Sequence, residues 1–210
     1  MHRNAVRRVN CALIVVAVLC AVTRAPVAQI VPAPLAPDSG VMLSQTFATY
    51  RVTGKSVREL RASIAASGPR APDGARFGGF TTWNLNWSYP TSEQRTGGCV
   101  PVSVTVYLDL TVEYPVWNDS SSAPRALREA WTRYVMALRA HEANHAVIAI
   151  KGANRLAAEL KDLRAPVCLD LRARAQALAV EAARRIREEN DLYDRRTRHG
   201  AAEGGVLAVQ

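Results

Sequence analysis

The stretch from Arg139 to Ile148 reads RAHEANHAVI, with His141 and His145 four residues apart and Glu142 directly after the first. In an α-helix this spacing turns the chain through about 400°, so both imidazoles leave one face within reach of a shared ion. Neutral imidazole is a preferred zinc ligand, and zinc lowers the pKa of a coordinated water to about 7. A carboxylate beside that water can take its proton and pass it to a leaving amine. Glu142, about 100° further round the helix, is placed for that role and not for ligation. The chemistry these types and spacing support is zinc-dependent hydrolysis, with Glu142 as the general base.

A catalytic zinc site needs three protein ligands and an open position. Setting His2 aside with the leader leaves three histidines, His141, His145 and His199, so His199 in YDRRTRHG is the expected third ligand. Asp194 is the alternative, either as ligand or as a group orienting an imidazole. Glu181, Glu188 and Glu189 are the glutamates a thermolysin-like arrangement would draw on. Glu159 is excluded because it lies on the zinc helix itself, roughly 21 Å beyond His145. The metzincin extension is absent, since Ile148 and Lys151 occupy the places of its glycine and histidine. Tyr193 is expected to stabilise an oxyanion, with packing as the plainer alternative. Trp83 and Trp87 read as core, with a substrate groove as the alternative.

Other features say where such a protein works. Residues 1–28 order a basic segment (MHRNAVRRVN), an apolar run (CALIVVAVLCAV) and small residues, the pattern of a signal peptide. The apolar run is shorter than the roughly 20 residues of a membrane-spanning helix. Leu19 before Cys20 argues against lipidation there. Residues 29–40 form a proline-rich linker, and 41–210 a single domain. Removing the four leader arginines lowers the net charge from +9 to +5. The remaining basic residues interleave with acids, as in EAARRIREENDLYDRR, which marks a solvated helix face and excludes a nucleic-acid partner. Cys99 and Cys168 remain, and an even pair in an exported chain predicts one disulfide. Periplasmic or secreted localisation follows.

The elements that must position the motif change period along the chain. QTFATYRVTGKS reads as a strand ending at Gly54, and VRELRASIAASGP as a helix stopped by Gly68-Pro69. GFTTWNLNWSYP alternates, with Trp83, Leu85 and Trp87 on one face. CVPVSVTVYLDLTVEYPVW alternates again, placing Val102, Val104, Val106, Leu108, Leu110 and Val112 inward. Two alternating segments separated by glycine turns predict antiparallel neighbours. Helical spacing then runs from an N-cap at Ser122, with Pro124 in the first turn, through Leu160. A second helix spans about Leu169–Leu192, followed by an irregular tail. The expected fold is α+β: an antiparallel sheet followed by two long packed helices, the first a zincin-like HExxH helix.

YRVTG, GFTTWNLNWSY, CVPVSVTVYLDL, YPVW, HEANH, the Cys168 segment and YDRRTRHG occur in this order along the mature chain. On these landmarks the chain resembles a bacterial family of unknown function described as predicted secreted Zn-dependent proteases. The resemblance implies a zinc-dependent protease activity and an exported location, and names no substrate. With the motif chemistry above, the expectation is a metallopeptidase with Zn2+ as cofactor, acting on a peptide or protein. The alternative from the residues alone is a non-catalytic exported protein, with a structural zinc or a helix pair that binds a partner. Glu142 discriminates, because a structural site has no need of a base.

Overall fold

The computed structural model describes residues 40–71 and 74–209. The expected leader and all of the proline-rich stretch except Gly40 lie outside the described residues. The elements are β1 (Val41–Val52), α1 (Val57–Ser67), β2 (Phe80–Ser88), β3 (Thr91–Glu93), β4 (Cys99–Pro101), β5 (Thr105–Trp117), α2 (Arg125–Lys161) and α3 (Cys168–Thr197). Short 3-10 turns lie at Ser120–Ser122 and Ala201–Glu203. Strands come first and two long helices follow, as the change of period predicts.

β5 is the central strand of the main sheet, with β1 on one side and β2 on the other. β2 pairs antiparallel, setting Trp83 opposite Leu110, Leu85 opposite Leu108 and Trp87 opposite Val106. β1 departs from the all-antiparallel expectation: it runs parallel to β5, so the sheet is mixed. Alternation reports which face a residue occupies but not the direction of the strand. The long connection through α1 and β2 supplies the crossover that parallel pairing requires.

On the covered face, Val106, Leu108, Leu110 and Val112 are at most 1% exposed. Val102, expected in that row, is 66% exposed. The extended run breaks between β4 and β5 just after Pro101, which has no amide hydrogen to continue a ladder.

α2 has 37 residues, about 55 Å of helix. It starts after Pro124, and Ser122 sits in the preceding 3-10 turn instead of capping it. Proline's fixed φ and missing N–H suit it to the start of a helix, so the chain enters α2 there. The first half of α2 packs with Val52, Leu60 and Leu207 in one apolar cluster. The second half packs with the sheet and α3 in another, built on Leu108, Leu110, Ile150, Leu156 and Ile186. Each fully buried leucine or isoleucine contributes about 2 kcal/mol.

α3 returns antiparallel to α2, and Gly152 makes their close approach possible. A Cβ there would stand 2.3 Å from Ile186 Cγ1. α3 runs beyond its expected end near Leu192, through Tyr193 and Asp194 to Thr197. The segment carries no glycine or proline before Gly200, and Tyr193 and Thr197 continue a buried i,i+4 stripe, so nothing stops the helix. Cys99 and Cys168 are joined by a disulfide, with Cα atoms 5.1 Å apart, tying β4 to the first residue of α3. Among the described residues no helix is long and apolar enough to cross a membrane.

Candidate metal centre

The two apolar clusters of α2 meet at a buried polar step. Leu138 belongs to one and Ala146 to the other; between them His141 and Glu142 are 3% exposed and His145 9%. Burying a polar group without partners costs about 2–7 kcal/mol, so each of these atoms needs one.

His141 Nε2 and His145 Nε2 face each other at 3.2 Å. Asp194 Oδ1 closes a triangle, 3.0 Å from the first and 3.1 Å from the second. The other ring nitrogens are engaged outside it. His141 Nδ1 is 3.0 Å from Glu203 Oε2, and His145 Nδ1 is 2.6 Å from Asn190 Oδ1. Asn190 Nδ2 donates to the Ile186 carbonyl at 2.8 Å, which turns its oxygen toward the ring. Both Nδ1 atoms therefore face acceptors and carry the proton, leaving each neutral ring with a lone pair on Nε2.

Three acceptors crowd together with no donor among them. An added proton or a metal ion is what relieves that repulsion. In a tetrahedral zinc shell with bonds of about 2.0–2.1 Å, neighbouring ligands stand about 3.3–3.4 Å apart, within a few tenths of an ångström of this triangle. All three ligand atoms lie within 4.8 Å of one another. The donor set fits zinc.

Protonation follows the same contacts. Burial disfavours charge on both imidazoles, but hydrogen bonds to Asp194, with Glu203 at His141 and Asn190 at His145, outweigh it and raise both pKa values. Burial opposes ionisation of Asp194, yet His141 and His145 hold its carboxyl well below the usual carboxylate range.

Glu142 stands outside the triangle. Its Oε2 accepts from Thr81 Oγ1 at 2.8 Å, anchoring it to β2. Burial raises its pKa, against the pull of His145, Thr81 and His141. The strand reaches it through Gly78-Gly79. A Cβ on Gly79 would lie 3.0 Å from Glu142 Oε1, and one on Gly78 would lie 2.1 Å from the Tyr134 hydroxyl. The centre opens into a cleft of about 640 Å³, bordered at one end by His141, Glu142, His145, Asp194 and His199. Trp83, Leu85 and Trp87 form one wall of its length, and Ala179, Val180 and Ala183 the other. The tryptophans are half-buried, packed on the core and facing the cleft together.

Of the two residues expected as third ligand, Asp194 is the one that lies with His141 and His145. Asp194 supplies the third atom of the triangle. His199 has its Nδ1 3.5 Å from Asp194 Oδ1, a side chain 56% exposed, and a ring tilted against Phe77 at 5.1 Å. The cause lies in the helix end: α3 extends far enough to carry Asp194 opposite His141, and the chain turns away before His199. Tyr193, expected to stabilise an oxyanion, lies against His141. Its hydroxyl accepts from Asn144 Nδ2 at 2.8 Å and donates to Glu203, and its ring stacks on His141 at 4.9 Å. It does not line the cleft.

Three contributors escape the sequence reading: Thr81, Asn190 and Glu203. Asn190 had a usable signal, because Asn190 and Asp194 repeat on α3 the i,i+4 spacing of the two histidines. Glu203 had none, since its position depends on how the chain turns after α3.

Residues 47–200 match a family described as a bacterial protein of unknown function, DUF922. The chain belongs to that family. The span matched to DUF922 carries the whole triangle and Glu142, and it stops short of Glu203. No curated protein and no solved structure matches the chain.

Proposed function

We propose that this protein is an exported zinc-dependent hydrolase that cleaves peptide bonds. The carrying observation is the triangle of His141 Nε2, His145 Nε2 and Asp194 Oδ1 with a buried glutamate beside it, all bordering one cleft. Zinc held by these three residues would supply a Lewis acid and lower the pKa of a coordinated water to about 7. Glu142, one oxygen fixed by Thr81, takes the proton of the attacking water and passes it to the leaving amine. His199, exposed at the same end of the cleft, belongs to the substrate side.

The cleft supports an extended peptide with apolar side chains. Among the described residues β2 pairs only with β5, which leaves its outer edge open to an added strand. The wall of Trp83, Leu85 and Trp87 favours apolar residues along the five residues from Trp83 to Trp87. The leader pattern and the disulfide support export.

The test is metal analysis of the purified protein together with digestion of a broad peptide library. The expected result is about one zinc per chain, lost in the double variant His141→Ala/His145→Ala, and cleavage beside apolar residues. Tightly held zinc without hydrolysis of any peptide would leave the structural-zinc alternative standing and sink the peptidase.

A further inference from the structure

We infer that Glu203 is a positioning residue for the metal centre, delivered by a C-terminal hook that completes the site. The inference rests on the zinc reading above. After Thr197 the chain makes three successive left-handed residues, Arg198 at φ 53°, His199 at φ 51° and Gly200 at φ 79°. The two that are not glycine each carry a cost of about 1–2 kcal/mol, which persists only where surrounding contacts hold the backbone.

Those contacts lie at both ends of the hook. His199 N donates to the Asp194 carbonyl at 2.9 Å, and Gly205 N donates to the Gly200 carbonyl at 2.9 Å. Leu207, 2% exposed, plugs into the cluster that contains Tyr134 and Leu138. Gly200 lies directly on the imidazole of His141, where a Cβ would come within 3.1 Å of Cγ.

The result of this turn is one carboxylate at one ring nitrogen. Glu203 Oε2 accepts from His141 Nδ1 at 3.0 Å, and the Tyr193 hydroxyl donates to the same carboxylate at 2.9 Å. Asn144 Nδ2 holds Tyr193 in turn. A carboxylate there fixes the tautomer that leaves Nε2 free and makes that nitrogen a stronger ligand. Glu203 thus reaches the metal only through His141, from outside the span that carries the ligands.

The experiment titrates zinc(II) against a competing chelator in the full-length parent, Glu203→Ala and Glu203→Gln, alongside ¹⁵N-histidine NMR and thermal unfolding of the metal-free proteins. Glu203→Ala is expected to weaken zinc binding by about 10–100-fold, as loss of such a partner does, with unfolding of the metal-free form unchanged. Glu203→Gln, whose amide oxygen still accepts, is expected to stay within a few-fold of the parent and to keep the Nδ1–H signature of His141. If the parent binds zinc and Glu203→Ala binds it equally tightly, the positioning role is overturned and the zinc reading stands. Lower stability of metal-free Glu203→Ala with unchanged affinity overturns it too, in favour of simple tail packing. Should Glu203→Ala not fold, loss of the Nδ1–H signature or of affinity in a further variant, Tyr193→Phe, supports the role, and an unaltered centre overturns it. A parent that binds no zinc removes both readings together.

Discussion

Asn190 Oδ1 accepts from His145 Nδ1 at 2.6 Å, one helical turn before the residue that supplies the third atom of the triangle. Two i,i+4 pairs thus face each other across antiparallel helices. His141 and His145 project from α2, while Asn190 and Asp194 project from α3. The centre is a property of the register between these helices, so changes in register and changes in ligands should have separable effects.

Asp194→Ala should abolish tight zinc binding, whereas His199→Ala should leave affinity within a few-fold of the parent. Equilibrium dialysis or competition with a chelator measures both. Tight binding in Asp194→Ala together with loss in His199→Ala would restore His199 as the third ligand.

Glu142→Gln preserves the shape of the side chain and can still accept from Thr81, but it cannot take a proton. Zinc content should remain near that of the parent, and peptide hydrolysis should fall by about 10²-fold or more. Hydrolysis at the parental rate would remove Glu142 as the base. Thr81→Val, which removes only the anchoring hydroxyl, should give a smaller fall.

Bound zinc should stabilise the fold by mass action. At free zinc about 100 times its Kd the gain is about 2.7 kcal/mol, so removal with a chelator should lower the melting temperature, and re-addition should restore it. In His141→Ala/His145→Ala the melting temperature should not respond to zinc. Equal responses in parent and double variant would place the ion elsewhere.

Gly152→Ala should destabilise the protein by about 1–3 kcal/mol, because the new methyl group meets Ile186 in the helix contact. Trimming the partner in Gly152→Ala/Ile186→Val should recover part of the loss. Chemical denaturation measures the coupling, and strictly additive effects would argue that the two positions do not touch.

Removing the disulfide, as Cys99→Ser/Cys168→Ser, should cost about 4 kcal/mol on the chain-entropy account of its 69-residue separation. Cys168 stands 26 residues from Asp194 along α3, about 39 Å of helix. Zinc affinity in the folded variant should therefore match the parent. A large loss of affinity would show that the far end of α3 controls its register at the centre.

Much of this arrangement is legible in the residues because it depends on local periodicity. The row Val106, Leu108, Leu110 and the pairing of Trp83, Leu85 and Trp87 follow from period two, and the placement of His141 and His145 on one face follows from period 3.6. What depends on tertiary contact is harder to read. The parallel direction of β1 and the break that leaves Val102 outside the sheet are decided by which surfaces meet. Where α3 ends decides which of Asp194 and His199 faces the histidine pair. α3 runs five residues past Leu192, to Thr197, which puts Asp194 opposite His141 and leaves His199 at the rim.

The long helix α2 also sets a timetable. Its histidines lie on one helical turn, but Asp194 is 49 residues beyond His145, and Glu203 is 62 residues beyond His141. Synthesis proceeds from the N-terminus, so the sheet and α2 are available to fold while α3 is still being made. During that interval the histidine pair exists without its carboxylate, and the cleft lacks its Ala179–Ala183 wall. Whatever the assembled centre does is withheld from a growing chain until α3 and the turn that carries Glu203 have emerged.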